Sequence, residues 1–182
     1  MKGGCSYWLL FLDLDGTLWD HKDVSSLKPP FSRVDKGIIK DSDGVIIKLH
    51  EESLRLLKWA RSNGAIVSTL SWNIPEKAMD AIKAFELENE FDYFVITPEP
   101  NKGEAALKFL EQLKKKERCI LPPCAIVYID ERDIHLKEVK EKLGNITFLM
   151  IWRDFSSFED GRKLIEEKLS ECKDIKRIYR AS

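Results

Sequence analysis

Residues 8–17, Trp-Leu-Leu-Phe-Leu-Asp-Leu-Asp-Gly-Thr, place five apolar side chains directly before two aspartates and a glycine. A short apolar run that ends at acidic residues is typical of a strand buried on both faces, and we predict such a strand over residues 7–12. Because side chains alternate along an extended chain, Asp13 and Asp15 should emerge on the same side, and Gly16 should let the backbone turn beside them. An apolar strand gains no stability from two acids at its end, so these aspartates indicate a function.

Apolar runs and amphipathic segments alternate along the rest of the chain. Four more strands are predicted, at residues 65–70, 93–96, 125–129 and 147–152. Helices are predicted from His50 to Gly64, from Pro75 to Phe85, over residues 102–116 and 134–143, and after a capping-box spacing at residues 156–159. Strands that alternate with helices imply right-handed crossovers, so the pattern predicts an α/β fold with a doubly wound parallel sheet.

A hairpin is predicted between the first strand and His50. Residues 37–40 and 45–49 are rich in β-branched side chains, and the Asp-Gly pair at residues 43–44 between them is a typical hairpin turn. We expect this flap to span about residues 36–50. A length of 182 residues, 43% of them hydrophobic, fits a single domain over residues 1–182.

Composition and charge limit the classes of partner and the cellular location that we expect. A net charge of −1 provides no long-range attraction to nucleic acid or to an anionic membrane, so we expect neither as a partner. The apolar run before Asp13 is too short to span a bilayer and is followed by acids, which predicts a cytoplasmic protein. The four cysteines lack zinc-site spacing and disulfide density, which favours free thiols: Cys5, Cys119, Cys124 and Cys172. The basic residues after Cys172 are interpreted as a solvated helix end.

Polar residues follow the predicted strands at the edge where open α/β sheets bind ligands. Besides Asp13 and Asp15, they are Ser71, Trp72 and Asn73 after the second strand, Lys102 beyond the third, and Asp130, Glu131, Arg132 and Asp133 after the fourth. The two neighbouring carboxylates of Asp13 and Asp15 repel each other. Mg²⁺ would relieve that repulsion, with Asp130 as a third acidic ligand, because this cation prefers a few carboxylates completed by water and phosphate oxygens.

Ser71 and Lys102 offer a hydroxyl and a cation, which are the groups needed to hold the oxygens of a phosphate. Taken singly, Ser71 could be an ordinary loop residue and Lys102 an ordinary first residue of a helix. Asp133 could equally cap the helix that follows it. Their convergence on one edge of the sheet is what favours a phosphate site.

Residues 11–18, Phe-Leu-Asp-Leu-Asp-Gly-Thr-Leu, resemble the first motif of the haloacid dehalogenase superfamily. Ser71, Lys102 and Asp130-Glu131 are similar to its second, third and fourth motifs and follow in the same order. Over roughly residues 8–144 the chain also resembles the cap-less magnesium-dependent phosphatase family. That resemblance rests on Leu18-Trp19, Pro29-Pro30-Phe31, Asp43-Gly44, Leu49-His50-Glu51 and Phe91-Asp92-Tyr93-Phe94.

This resemblance implies a Rossmann-like core with strand order 5-4-1-2-3, a β-hairpin flap and no separate cap domain. It implies a Mg²⁺-dependent phosphatase that acts on phosphotyrosine or phosphorylated sugars, in a small molecule or a phosphoprotein. Asp13 would be the nucleophile and Asp15 the general acid and base. The implied metal ligands are Asp13, the backbone carbonyl of Asp15, and Asp130. The implied phosphate contacts are Leu14, Gly16, Ser71, Trp72, Asn73 and Lys102.

The chain departs from the family pattern at Gly16, where tyrosine is frequent, and at Trp72-Asn73, where Arg-Thr is frequent. Glu131 stands where a second aspartate is usual, so either Glu131 or Asp133 would support the metal through water. Without a large lid, the site should open to solvent, and we expect substrate selectivity from Trp19, Trp72 and flap residues 36–48. Each tryptophan could as easily pack in the core.

Two other classes of function stay open from the residues alone. A signalling receiver domain also carries acids around Mg²⁺ and a phosphorylated aspartate, but it does not need a general acid at the position of Asp15. A catalytically silent binding module would retain the acids for stability alone.

Overall fold

A parallel sheet forms the centre of the fold in the computed structural model, which describes residues 8–117 and 120–172. In chain order the strands are β1 (Trp8–Leu12), β2 (Ser32–Asp35), β3 (Ile38–Lys40), β4 (Ile46–Lys48), β5 (Ala65–Thr69), β6 (Ser71–Trp72), β7 (Ile96–Thr97), β8 (Ile126–Asp130) and β9 (Thr147–Met150). The helices are α1 (Glu51–Ser62), α2 (Pro75–Ala84), α3 (Lys102–Glu117), α4 (Leu136–Leu143) and α5 (Phe158–Glu171).

The strand order confirms the predicted α/β fold. Four parallel strands lie in the order β5-β1-β8-β9. The predicted third strand lies beyond β5, where a parallel bridge joins Ser68 to Tyr93 and β6 pairs with β7. It is interrupted because the Thr69 hydroxyl bonds both to the N–H and to the carbonyl oxygen of Val95.

Alternate side chains of β1 pack into two separate apolar layers, one on each face of the sheet. Leu10 and Leu12 pack on the side of α1, α2 and α5, whereas Leu9 and Phe11 pack on the side of α3 and α4. All four side chains are completely buried. Burial of each side chain contributes about 1.5–3 kcal/mol to the stability of the fold, so packing on both faces of the sheet holds its carboxyl edge in place.

The flap forms where it was predicted and contains one strand more than expected. β3 pairs antiparallel with β4, and Ile39 lies opposite Ile47, both fully buried. The predicted turn is closed by Asp41, whose carboxylate accepts the backbone N–H groups of Asp43 and Val45. The additional strand, β2, pairs with β3 and is exposed along its length.

Two cysteines correct the expectation of free thiols. Cys124 and Cys172 form a disulfide that spans 48 residues of sequence and ties the end of α5 to the segment before β8. The pair was missed because its spacing matches no local motif, and only the packing of α5 brings the two residues together. Cys5, Cys119, Tyr7 and the basic residues after Cys172 lie outside the described residues.

The cap of the last helix lies one residue later than the predicted capping box places it. Ser157, and not Ser156, caps α5 by accepting the backbone N–H of Asp160. Within residues 8–117 and 120–172, no helix combines the length and the apolar character needed to cross a bilayer.

Candidate active site

The loop after β1 turns sharply at Gly16, which has a φ of 68°. A Cβ atom at this position would lie 2.5 Å from the Cδ atom of Glu131, so no other residue fits without displacing that side chain. The Gly16 N–H donates to the carbonyl oxygen of His21 at 2.9 Å. The backbone conformation therefore favours glycine here, and any larger residue would also have to displace the Glu131 carboxylate.

Asp13 and Asp130 converge on the ammonium group of Lys102. The Lys102 Nζ lies 2.8 Å from Asp13 Oδ1 and 2.7 Å from Asp130 Oδ2. It also lies 3.1 Å from the hydroxyl oxygen of Tyr128, and that hydroxyl donates to Asp130. All four side chains are buried. The carboxyl ends of two adjacent strands and the first residue of α3 thus form one buried ionic cluster.

Burial sets the proton affinities in this cluster. It raises the pKa of Asp13 to about 7, and the nearby carboxylates of Asp130 and Asp15 add to the rise, whereas Lys102 opposes it. Burial alone would lower the pKa of Lys102, but Asp13 and Asp130 outweigh it and raise that pKa above its ordinary value. Lys102 is therefore a permanent cation, and its charge favours ionisation of Asp13.

Asp15 lies in a separate environment. Its Oδ1 accepts the Trp19 indole N–H at 2.7 Å and the Val24 N–H at 3.2 Å, and its Oδ2 accepts the Asn73 side-chain amide at 2.6 Å. Burial raises the pKa of Asp15 to about 6, although the Trp19 and Val24 donors oppose the rise. A carboxyl group with this pKa can both give and take a proton near neutral pH.

Two buried polar atoms beside the site have no hydrogen-bond partner among the described residues. They are the Ser71 hydroxyl oxygen and His135 Nε2. A buried polar group without a partner is costly, so each is a candidate contact for a ligand. The Thr17 hydroxyl, in contrast, accepts the Glu131 N–H at 2.9 Å and lies 3.5 Å from Asp13 Oδ2.

A cavity of about 330 Å³ opens over Asp13, Asp15 and Lys102, whereas Ser71 and His135 are not among its lining residues. Its lining residues are Asp13, Asp15, Lys22, Asp23, Ser25, Trp72, Asn73, Ile74, Pro98, Lys102 and Arg132. Trp72 is 45% exposed, and its indole N–H donates to the Pro98 carbonyl oxygen at 3.0 Å. Trp72 therefore forms a fixed, flat wall of the cavity.

The other selectivity candidates lie elsewhere. Trp19 is fully buried, with its ring stacked on Phe85, so it supports Asp15 and does not face the cavity. Flap residues 36–48 are not among the lining residues, and Ile39 and Ile47 of the flap pack into the core. Lys22, Asp23 and Ser25 line the cavity in their place.

The remaining candidates differ in position. Leu14 is completely buried in the apolar layer beneath the loop. Glu131 packs against Gly16, and its carboxylate lies 3.4 Å from Arg132. Asp133 is exposed, with its carboxylate 3.7 Å from Arg153. Of the two acids considered as water-mediated metal supports, Glu131 therefore lies against the Asp13–Thr17 loop and Asp133 lies at the surface.

A model of the acid phosphatase family matches residues 8–145 of the 182-residue chain. The chain belongs to the acid phosphatase family. It is thus a phosphatase-family member of the haloacid dehalogenase superfamily, as its first motif predicts. No curated protein sequence matches the chain at a significant level.

Solved structures share the fold of this acid phosphatase family member. A haloacid dehalogenase superfamily hydrolase from Ehrlichia chaffeensis is 14% identical with a TM-score of 0.62, and the match covers 93% of this chain and 100% of that chain. The haloacid dehalogenase domain of the Legionella pneumophila effector Lem4 is 14% identical with a TM-score of 0.57, over 95% and 98% of the two chains. A putative phosphatase from Clostridium difficile is 17% identical with a TM-score of 0.55, over 89% and 92%. At these identities the likeness shows the fold alone.

Several residues of the acid phosphatase site are absent from the sequence-based prediction. Tyr128 reads as an ordinary core aromatic of β8, and Thr17 as part of the first motif without a role of its own. Alternation along β8 was the available signal for Tyr128, because residues 128 and 130 must lie on the same face. Asn73 was predicted as a phosphate contact, and its side-chain amide donates to Asp15.

The donor set of this acid phosphatase site fits a hard cation. Within the described residues no three His, Cys, Asp or Glu side chains converge as a metal cluster. Asp13 Oδ2 and Asp130 Oδ1 do not contact Lys102, and carry only the Thr17 contact and one backbone N–H from Arg132. Mg²⁺ commonly takes one or two carboxylates and completes its shell with water and phosphate oxygens, so these two carboxylate oxygens, which do not bind Lys102, are sufficient.

Proposed function

We propose that this chain is a Mg²⁺-dependent phosphatase that hydrolyses a phosphomonoester, of the phosphotyrosine or sugar phosphate class, through a phosphoryl group carried on Asp13. The observation that carries the proposal is the different surroundings of two aspartates only two residues apart. Asp13 lies against a buried cation, as a nucleophile requires, whereas Asp15 is held by neutral donors with its pKa near 6. Burial raises the pKa of both carboxyl groups, to about 7 for Asp13 and about 6 for Asp15, so their division of work rests on their partners: Lys102 and a bound cation would keep Asp13 ionised for attack, whereas no cation among the described residues contacts the Asp15 carboxylate.

In the first step a carboxylate oxygen of Asp13 attacks the phosphorus atom in line, and the bond between phosphorus and the leaving oxygen breaks. Asp15 donates its proton to that leaving oxygen. Lys102 and the free hydroxyl of Ser71 would hold the phosphoryl oxygens, which gives the orphaned Ser71 oxygen a partner.

In the second step water attacks the phosphorus atom of the aspartyl-phosphate. Asp15, now ionised, takes a proton from that water, and the bond between phosphorus and the Asp13 oxygen breaks to release inorganic phosphate. The hydrogen bonds from Trp19 and Asn73 keep the Asp15 carboxylate in one orientation through both steps.

Asp13, Asp130 and the backbone carbonyl of Asp15 would hold Mg²⁺. The bound cation would keep both carboxylates ionised and neutralise charge on the transferring phosphoryl group. Membership of a phosphatase family favours this activity over the receiver-type alternative. The proposed substrate is a phosphorylated small molecule or phosphoprotein, and the proposed location is the cytoplasm.

A phosphatase screen with Mg²⁺ and with EDTA tests the proposal, using phosphotyrosine peptides, sugar phosphates and nucleotides. We expect Mg²⁺-dependent release of phosphate, abolished in Asp13→Asn. Asp43→Asn serves as the matched control, because Asp43 is an exposed flap aspartate paired with Lys28. A folded wild-type protein with no phosphatase activity on any substrate would favour the catalytically silent module.

A further inference from the structure

Trp152 lies just beyond the end of β9 and has a φ of 71°. This left-handed conformation is natural for glycine and tolerated by asparagine, but it is strained for a bulky aromatic residue. The turn is well defined, since the Trp152 N–H donates to the Phe155 carbonyl at 2.8 Å and the Asp154 carboxylate accepts the Met150 N–H. The sequence therefore places tryptophan where the backbone would favour glycine.

Burial accounts for this choice only in part, because Trp152 is 43% exposed. Backbone strain of this kind clusters at residues that are held in place for function. The contacts of the indole ring identify what it holds.

The indole N–H of Trp152 donates to the carbonyl oxygen of Gly16 at 3.0 Å, across 136 residues of sequence. The Trp152 ring also contacts the His50 ring, with the ring centroids 4.6 Å apart in an edge-on arrangement. Gly16 belongs to the loop that carries Asp13 and Asp15, and Glu131 packs against its Cα atom. The loop is thus clamped at one residue by two side chains from different strand ends.

We propose that Trp152 is a positioning residue, which fixes the Asp13–Thr17 loop through the Gly16 carbonyl so that Asp13 and Asp15 keep their geometry for phosphoryl transfer. Trp152 lies beyond residue 145, where the match to the family model ends. Only the kinetic part of the inference rests on the proposed phosphatase function. Displacement of a reacting group by about 1 Å can cost roughly 100-fold in rate, so one lost loop contact is enough to matter.

Trp152→Phe removes the indole N–H donor and retains an aromatic ring. Trp8→Phe is its matched control. Trp8 also donates its indole N–H to a backbone carbonyl at 3.0 Å, that of Asn63, away from the site. We expect Trp152→Phe to lower kcat about tenfold with KM changed less than about twofold. Trp8→Phe should lower the melting temperature and leave kcat unchanged.

Amide hydrogen exchange supplies a readout that does not depend on activity. Residues 14–18 should exchange about tenfold or more faster in Trp152→Phe than in wild type and in Trp8→Phe, because their loop has lost its anchor. Trp152→Gly, whose backbone accepts the positive φ, should show the same faster exchange and covers the case in which the phenylalanine variant fails to fold. Unchanged exchange at residues 14–18 in a folded variant would overturn the proposal. If wild type has no phosphatase activity while exchange accelerates as expected, the proposed function fails and the positioning role stands.

Discussion

Lys102 is the residue on which the charge balance of the site depends. Lys102→Met would leave Asp13 and Asp130 buried beside each other without a cation, and removing one partner of a buried ion pair costs about 3–5 kcal/mol. We expect the free energy of unfolding, measured in urea, to fall by this amount, and kcat to fall about 100-fold or more. Mg²⁺ should restore part of the stability, because it would neutralise the same two carboxylates.

Lys108→Met is the control for this experiment. Lys108 lies on the same helix, α3, but it is exposed and lies 4.0 Å from Glu104, a contact of small energetic weight. Its removal should change neither stability nor rate noticeably. A Lys102→Met protein as stable as wild type in the absence of Mg²⁺ would contradict the buried cluster.

Asp15 gives a prediction about pH. Its pKa is raised to about 6, so it carries its proton below that pH and loses it as the pH rises. In excess Mg²⁺, kcat/KM for an alkyl phosphate should fall about tenfold per pH unit above this pKa, because the leaving oxygen needs the proton. An aryl phosphate, whose leaving oxygen needs little protonation, should show a flatter profile.

Asp15→Asn tests the same role without a change of pH. The variant should harm alkyl phosphates far more than aryl phosphates and should abolish the difference between their pH profiles. Equal losses for both substrates would show that Asp15 does not protonate the leaving group.

At the residue scale, the sequence predicts those site residues whose position relative to a strand or a helix singles them out. Asp13, Asp15, Lys102 and Asp130 follow strand ends or begin a helix. The first three line the cavity, and Asp130 contacts Lys102 at 2.7 Å. Tyr128 and Trp19 were not recognised as partners of those acids, because each is an apolar-looking residue in an apolar context. Their roles depend on which atom faces which carboxylate, and only the packed structure decides that.

At the scale of elements, the loops around the cavity set the predicted selectivity. Trp72 presents a fixed aromatic wall, so Trp72→Ala should raise KM for an aryl phosphate about tenfold and for a small alkyl phosphate much less. Ile46→Ala in the flap is the control, because Ile46 is equally exposed, at 45%, and does not line the cavity. A larger rise in KM in Ile46→Ala than in Trp72→Ala would show that the flap determines selectivity.

The strands and helices could be predicted wherever the sequence contains a continuous apolar run or an apolar helical face. β1 and β8 are continuous apolar runs, and both are completely buried strands as predicted. The third predicted strand is interrupted because the Thr69 side chain replaces a backbone partner, and β2 was missed because all four of its residues are exposed. Neither feature leaves an apolar pattern in the sequence.

At the scale of the whole molecule, the Cys124–Cys172 disulfide closes a loop of 48 residues around β8, β9 and α5. Restricting the unfolded chain over such a loop stabilises the folded state by about 2–4 kcal/mol. Cys172→Ser should lower the free energy of unfolding by that amount in denaturant titration, while kcat stays within about a factor of two because the bond is remote from Asp13. Loss of activity in the still-folded variant would show that α5 supports the site.

The identity of the phosphorylated residue tests the central claim most directly. The protein is mixed with an aryl phosphate and Mg²⁺, quenched during turnover and treated with borohydride, which reduces an aspartyl-phosphate to homoserine. Peptide mass spectrometry then locates the modified position. Homoserine at position 13, absent without substrate and absent in Asp13→Asn, is the predicted result. Turnover without any homoserine at position 13, or with the modification at another residue, would contradict the mechanism.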